Sequence, residues 1–384
     1  MADLFFLFLV FGTEYLAYCW HNDYERFVRN VCSRAVNVNI VFAKVFQAFI
    51  VKYAPKAIDV THNITPSAEG TTPHVVGLDV QPHHVGSGMV SLVYAGRYND
   101  LDVVVKVLRP GIRDQIVQGV NSLQQLFLWL EVLPPLRKYD LLIVLTQVQG
   151  MLLDQLDFRK EVQNQETFRK NFAYHSKVVV PVVHCFDDHY IVMERFRASE
   201  QLLLSERDRY AALICEITLK SAIIDGFVHA DMHSGNLFFL PEGKLGVIDF
   251  GLVFTLTVPQ RNDYFELCVA INSSDYDKAA DISLHRYSYV RKAALVVDQE
   301  KALAELRDLY LVSDQVTKSF GVSEISLMIS RVHKCGYAIT PYFYQVMMSM
   351  VASDTLVRTL CPSFHILLRQ SIRNLVASLS EEES

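Results

Sequence analysis

FVHADMHSGNLFFLPEGKLGVIDFGLV, residues 227–253, sets two aspartates, an asparagine and two histidines between apolar runs. Polar residues in an ordinary loop face water, whereas here they sit inside a hydrophobic frame. LFFL and KLGVIDF read as strands around the turn PEGK, so the segment is a loop feeding a hairpin that ends in Asp-Phe-Gly. A hairpin brings its two ends together, and Asp231, Asn236 and Asp249 then converge. Phosphoryl transfer needs such a set: one carboxylate to orient or accept the nucleophile's proton, and an amide and a second carboxylate to hold magnesium through oxygen. The pairing of H-x-D-x-x-x-x-N with a later D-F-G is a kinase signature.

Working upstream, YIVMERF (190–196) reads as the strand entering a hinge between lobes. Backbone groups from Glu194 to Phe196 would meet adenine, with Met193 guarding the depth of the pocket. Further back, HHVGSGMVSLVYAG places Gly86, Ser87 and Gly88 in a G-x-G-x-x-S run, where missing Cβ atoms let backbone amides approach phosphate. Lys106, in the β-branched run VVVKVLRPG, follows at the distance expected of the lysine that contacts the α- and β-phosphates. Such a lysine needs a carboxylate from a helix. Asp157 and Glu161 stand at i and i+4, and Glu161 is preferred because Leu156, Phe158 and Val162 mark the helix as packed. His229 is expected to brace the catalytic loop. His233 occupies the position where ordinary protein kinases place a phosphate-contacting lysine.

The whole chain is compatible with this reading. Its 384 residues suffice for a two-lobed unit plus an extension, and 51% hydrophobic with 20% charged residues describes a globular chain. A net charge of −6 argues against a nucleic-acid binder. Seven cysteines without a C-x-x-C pair read as reduced thiols of an intracellular protein, not as a zinc site. The leading MADLFFLFLVFG lacks a basic leader and a cleavage signal, and Glu14 interrupts it too early for a membrane span. A buried helix start is favoured there over contact with a membrane surface.

Three segments follow from composition and periodicity. Residues 1–75 form a helical extension closed by a Thr/Pro/Ser/Gly-rich linker, 76–196 a strand-rich lobe with inserted helices, and 197–384 a helical lobe. The expected fold class is α+β, a bilobal protein-kinase-like fold with an N-terminal helical extension.

HADMHSGN resembles the H-A-D-P-H-P-G-N loop of the UbiB-type, or aarF-domain, atypical kinases associated with coenzyme Q. VVVKVLRPG is similar to their V-x-V-K-V-x-R-P-G strand, QLDFRKEVQN to their E-L-D-F-x-x-E-A-x-N helix, FAKVFQA to their K-x-G-Q helix and LCPSFHILL to their L-D-P-x-F segment. The resemblance implies that Lys106 and Glu161 pair to anchor the nucleotide. It makes Asp231 the catalytic-loop aspartate, gives magnesium to Asn236 and Asp249, and brings Lys44 and Gln47 toward the nucleotide from the first helical segment. Three positions depart from the pattern. The nucleotide loop carries glycines instead of an alanine-rich run, Phe46 replaces the glycine of K-x-G-Q, and Gln155 replaces the first acid of E-x-D.

The expected function is an ATP- and Mg2+-dependent atypical kinase or ATPase acting on a small-molecule or lipid substrate, or on water. Ala230 stands where phosphorylation-regulated kinases carry arginine, and no A-P-E follows Asp249, so a protein-substrate platform is not expected. Two competing readings are a nucleotide-binding pseudokinase scaffold and an aminoglycoside- or choline-kinase-like enzyme. Mitochondrial or membrane-associated placement follows from the resemblance alone.

Overall fold

The computed structural model describes residues 2–21, 75–130, 141–197, 204–291, 296–317 and 322–361, with Ala294 and scattered positions between 26 and 45. The chain divides into two compact units, Met1–Gln163 with Val182–Arg195, and Asn164–Pro181 with Phe196–Ser384.

Unit one is built on a five-stranded antiparallel sheet in the order β1-β2-β3-β6-β5, from Leu78–Ser87, Ser91–Tyr98, Leu101–Leu108, Tyr190–Glu194 and Val183–Phe186. Asn99 and Asp100 make the two-residue turn between β2 and β3 with φ of 47° and 68°, a left-handed geometry these two residue types tolerate. Alternation in β3 sorts its side chains. Val103, Val105 and Val107 pack with Leu92, Tyr94 and Val192 on one face, while Val104 and Leu108 pack with Phe158, Ile191 and Met193 on the other. Lys106 shares the second face, which turns it toward the element that carries Phe158.

The helices described in this unit are α1 (Ala2–His21), α2 (Ile112–Leu130), α3 (Leu141–Asp154) and the start of α4 (Phe158–Asn171). Ile112, Ile116, Val120, Leu123 and Phe127 recur at helical spacing and are buried together with Leu145, Leu152 and Leu156. Val41, Phe42 and Val45 join the same cluster, and Asn39 fastens them by donating from Nδ2 to Gln115 O at 2.7 Å. Lys44, Phe46, Gln47, the 59–74 linker and everything after Cys361 lie outside the described residues, as do the side chains of the leading apolar run. Among the described residues no helix is long and apolar enough to cross a membrane.

The sequence reads as unbroken helix from Leu141 to the end of α4. Instead α3 stops at Asp154, and the Asp157 carboxylate accepts the Lys160 N–H at 2.9 Å, capping the start of α4. Asp157 is therefore an exposed cap and does not share a helical face with Glu161.

Unit two carries β4 (Val178–Val179), β7 (Phe227–His229), β8 (Leu237–Leu240), β9 (Lys244–Val247) and β10 (Val253–Thr255). Beside the end of α4, the helices described in it are α5 (Arg207–Leu219), α6 (Val258–Asn272), α7 (Tyr276–His285), α8 (Gln299–Val312), α9 (Val322–Lys334) and α10 (Pro341–Leu360). β8 and β9 form the hairpin, with β4 parallel to β9, and the turn Pro241–Gly243 places Glu242 and Gly243 at φ of 60° and 65°. α5 runs into a π-helical turn, Lys220–Asp225, which ends at Gly226 with φ 60°. A side chain at Gly226 would meet Leu256 O at 2.8 Å, so glycine serves both the left-handed turn and the close approach. Lys220 secures the turn by donating to Asn171 O at 2.9 Å and to Asp225 Oδ1 at 2.7 Å, while lying 4.5 Å above the Phe172 ring. Beyond Phe254 the chain is mostly helical, as its sequence reads. The three-residue strands Ser288–Val290 (β11) and Tyr337–Ile339 (β12), too short to show alternation, pair antiparallel as an addition.

Candidate functional site

His229 ends β7 fully enclosed by protein, between Phe168 and Phe250, whose ring centroids lie 6.5 Å and 5.2 Å away. Its Nδ1 accepts the Asp231 N–H at 3.2 Å, which leaves the ring proton on Nε2 to be donated to Ile248 O at 3.2 Å. Burial pushes the His229 pKa below its ordinary value, against the opposing pull of the Ile248 carbonyl and the Asp231 and Asp249 charges. The neutral ring is thus a strut joining the backbone of Asp231 to the residue before Asp249.

Asn236 closes the loop. Its backbone N–H donates to His233 O at 2.9 Å, its carbonyl accepts from Ile248 N–H at 3.0 Å, and its Nδ2 donates to Asp231 O at 2.8 Å. The last bond fixes the orientation of the amide and leaves Oδ1 as its acceptor atom. Asp249 adopts φ 61°, accepts the Gly251 N–H on Oδ1 at 3.3 Å and precedes Phe250, which is fully buried. Asn164 of α4 donates from Nδ2 to Phe250 O at 3.0 Å, gripping the Asp-Phe-Gly turn from the helix side. Among the described residues no group of three or more His, Cys, Asp or Glu side chains is placed to hold a metal by itself. An amide oxygen and a carboxylate are hard donors, which suits a magnesium ion that takes its remaining ligands from phosphate and water.

In unit one Lys106 Nζ donates to Glu161 Oε1 at 2.6 Å, with the two residues only 7% and 1% exposed. Phe158 covers the ammonium at 5.8 Å. Gly86 and Ser87 close β1, and Gly88 N–H donates to Ser91 O at 2.9 Å across the turn into β2. Met193 is buried in β6 opposite Val104. The Glu194 N–H is taken by Val182 O at 2.9 Å and that of Arg195 by Asp102 O at 3.3 Å. Phe196 belongs to unit two, where its ring packs edge-on to Phe238 and fills the space a side chain at Gly246 would need.

Two positions that the sequence carries only inside the quoted family motifs, in QLDFRKEVQN and VVVKVLRPG, gain a contact in three dimensions. Asn164 is one. The other is Arg109, buried at the end of β3, which donates to Gly88 O from Nε at 3.1 Å and from Nη2 at 2.8 Å, and to Ser87 Oγ at 2.8 Å. Its guanidinium holds the glycine turn from behind. Arg109→Met, which keeps the apolar stem and removes these donors, should cost about 1–3 kcal/mol of stability. It should also weaken magnesium-ATP binding by roughly tenfold, the factor that about 1.4 kcal/mol of lost loop order represents. Denaturant midpoints and nucleotide titration measure the two effects, and an unchanged affinity would reduce Arg109 to a packing residue.

A sequence model of the ABC1 atypical kinase-like domain matches residues 58–283. An uncharacterized aarF domain-containing protein kinase of Arabidopsis thaliana, described as chloroplastic, is 26% identical over 287 residues, 70% of this chain and 53% of that protein. A probable protein kinase UbiB of Aliivibrio fischeri strain MJ11 is 28% identical over 221 residues, 53% of this chain and 40% of that protein. Another from Photorhabdus laumondii is 25% identical over 304 residues, covering 75% and 55%. The chain spans about half or less of the length of these relatives. Among solved structures, the Rv3197–erythromycin complex from Mycobacterium tuberculosis superposes with a TM-score of 0.52 at 20% identity, covering 73% of each chain, which is a likeness of fold.

Proposed function

The chain belongs to the ABC1, or aarF-domain, atypical kinase-like family, and on that premise we propose that it is an ATP- and magnesium-dependent phosphotransferase or ATPase. The observation that carries the reading is the His229 strut, because it fixes Asp231 and the Asp249 turn in one hydrogen-bonded frame. Magnesium, when bound, neutralises the charge developing on the transferring phosphates. Asn236 Oδ1 and the Asp249 carboxylate would hold it, and Lys106, kept extended by Glu161, would contact the nucleotide's phosphates. The Gly86–Gly88 turn would cover those phosphates, and Glu194 to Phe196 would receive adenine beside Met193. Asp231 would accept the proton of the attacking hydroxyl or water.

A small molecule, a lipid or water suits this site better than a protein substrate. Only Leu252–Thr257 separates Gly251 from α6, and within that stretch β10 is laid antiparallel on β7, with Val253 opposite His229 and Leu252 O accepting the Ala230 N–H at 2.9 Å. That leaves no length of chain to form a peptide platform. The test is ATP binding and hydrolysis by purified protein, with and without magnesium and with lipid vesicles added. Magnesium-dependent turnover is expected. Binding without turnover favours the pseudokinase scaffold, and failure to bind nucleotide sinks both readings.

A further inference from the structure

His233 lies two residues beyond Asp231 and has no part in the scheme above. Its position is nevertheless set at both ends. At its root, His233 N–H donates to Asp231 O and Asn236 N–H donates to His233 O, each at 2.9 Å, so the backbone of the loop fixes where the ring begins. At its tip, Nδ1 accepts the Gly235 N–H at 2.9 Å. That bond occupies the Nδ1 lone pair and puts the proton of the neutral ring on Nε2. Nε2 then faces the Asp231 carboxylate, 3.6 Å from Oδ2.

Gly235 is part of this arrangement. A Cβ there would stand 2.8 Å from His233 Cε1 and 3.0 Å from Nδ1, so any other residue would push the ring away from its place. The His233 ring and the Asp231 carboxylate are close to half exposed, 44% and 40%, so the Gly235 N–H on Nδ1 and the space kept free at Gly235 are what set the ring's direction. The chemistry of a neutral donor also differs from that of the lysine found here in ordinary protein kinases. A cation beside Asp231 would stabilise its anionic form and make it a weaker base, whereas a neutral N–H orients one carboxylate oxygen at smaller cost in basicity. Contacts of this kind are often long before substrate arrives and tighten in the reactive complex.

We infer that His233 is a positioning residue for Asp231, its Nε2–H holding Oδ2 so that the other carboxylate oxygen is presented to the nucleophile. The inference rests on the phosphotransfer reading and names how the loop sets its base. Two measurements on the full chain test it. In protein labelled with 15N-histidine, His233 should show a protonated Nε2 and an unprotonated Nδ1, and the Nε2–H resonance should move in Asp231→Asn. In steady-state kinetics, His233→Ala should lower kcat between about 10- and 100-fold with KM for magnesium-ATP nearly unchanged, as expected for a misplaced base. His233→Gln, whose amide nitrogen can reach the same point as a neutral donor, should recover most of the loss. An unaltered kcat in His233→Ala, or a loss confined to KM, would overturn the assignment, and so would a proton found on Nδ1. Wild-type protein that neither binds nor turns over magnesium-ATP would defeat the phosphotransfer reading instead, while the resonance of Nε2–H would still decide whether the His233–Asp231 pairing exists.

Discussion

Asp249→Asn is expected to abolish the magnesium-dependent part of nucleotide binding while leaving the fold intact. The backbone at this position has φ 61°, a left-handed conformation that asparagine adopts as readily as aspartate. An asparagine Oδ1 can also still accept the Gly251 N–H that Asp249 Oδ1 accepts at 3.3 Å. The substitution therefore isolates charge from shape. A neutral amide oxygen is a far poorer ligand for a hard dication than a carboxylate. With ligand near 100 times its dissociation constant, the wild-type protein should gain about 2.7 kcal/mol of stability, and the variant should lose nearly all of the increment that magnesium adds to nucleotide alone. Thermal unfolding with ATP, with and without magnesium, reads this directly. Equal magnesium-dependent gains in both proteins would remove Asp249 from the metal site.

The hairpin around PEGK and the β3 strand are visible in the sequence because strand alternation and turn residues are local signals. The frame that organises the loop is not local. Asn164 reaches Phe250 across 86 residues, and Arg109 reaches back 21 residues to Gly88. Neither bond leaves a spacing rule in the chain, since each depends on which strand face or helix turn the donor happens to occupy. The cap at Asp157 shows the same limit at short range. Asp157 and Glu161 satisfy i, i+4 spacing equally well whether the helix begins before or after Asp157, and only the break after Asp154 makes one a cap and the other a buried partner. The glycines illustrate the reverse case. Gly235 in HADMHSGN is plain in the sequence, but its purpose, room for the His233 ring, appears only when the ring has a place.

Removing one member of the Lys106–Glu161 pair should be more damaging than removing both. The pair is 2.6 Å apart with its partners 7% and 1% exposed, so both charges have been taken out of water side by side. Lys106→Met would take the ammonium from the Glu161 carboxylate in an environment closed by Phe158, and Glu161→Leu would take that carboxylate from the ammonium. Breaking a buried pair from one side costs about 3–5 kcal/mol, whereas replacing both partners by apolar side chains of similar volume is often close to neutral. The double variant Lys106→Met/Glu161→Leu should therefore be more stable than either single variant, with a coupling energy toward the upper end of the roughly 0.5–3 kcal/mol range for contacting residues. Activity should separate from stability here. All three variants lose the ammonium or its support, so turnover should be low in each, and the double variant should be stable but inactive. Denaturant midpoints for the full cycle, with ATP hydrolysis measured on the same samples, test both halves. Additive stability changes would mean that the two charges do not depend on each other, and retained turnover in the stable double variant would mean that phosphate contact is made by another group.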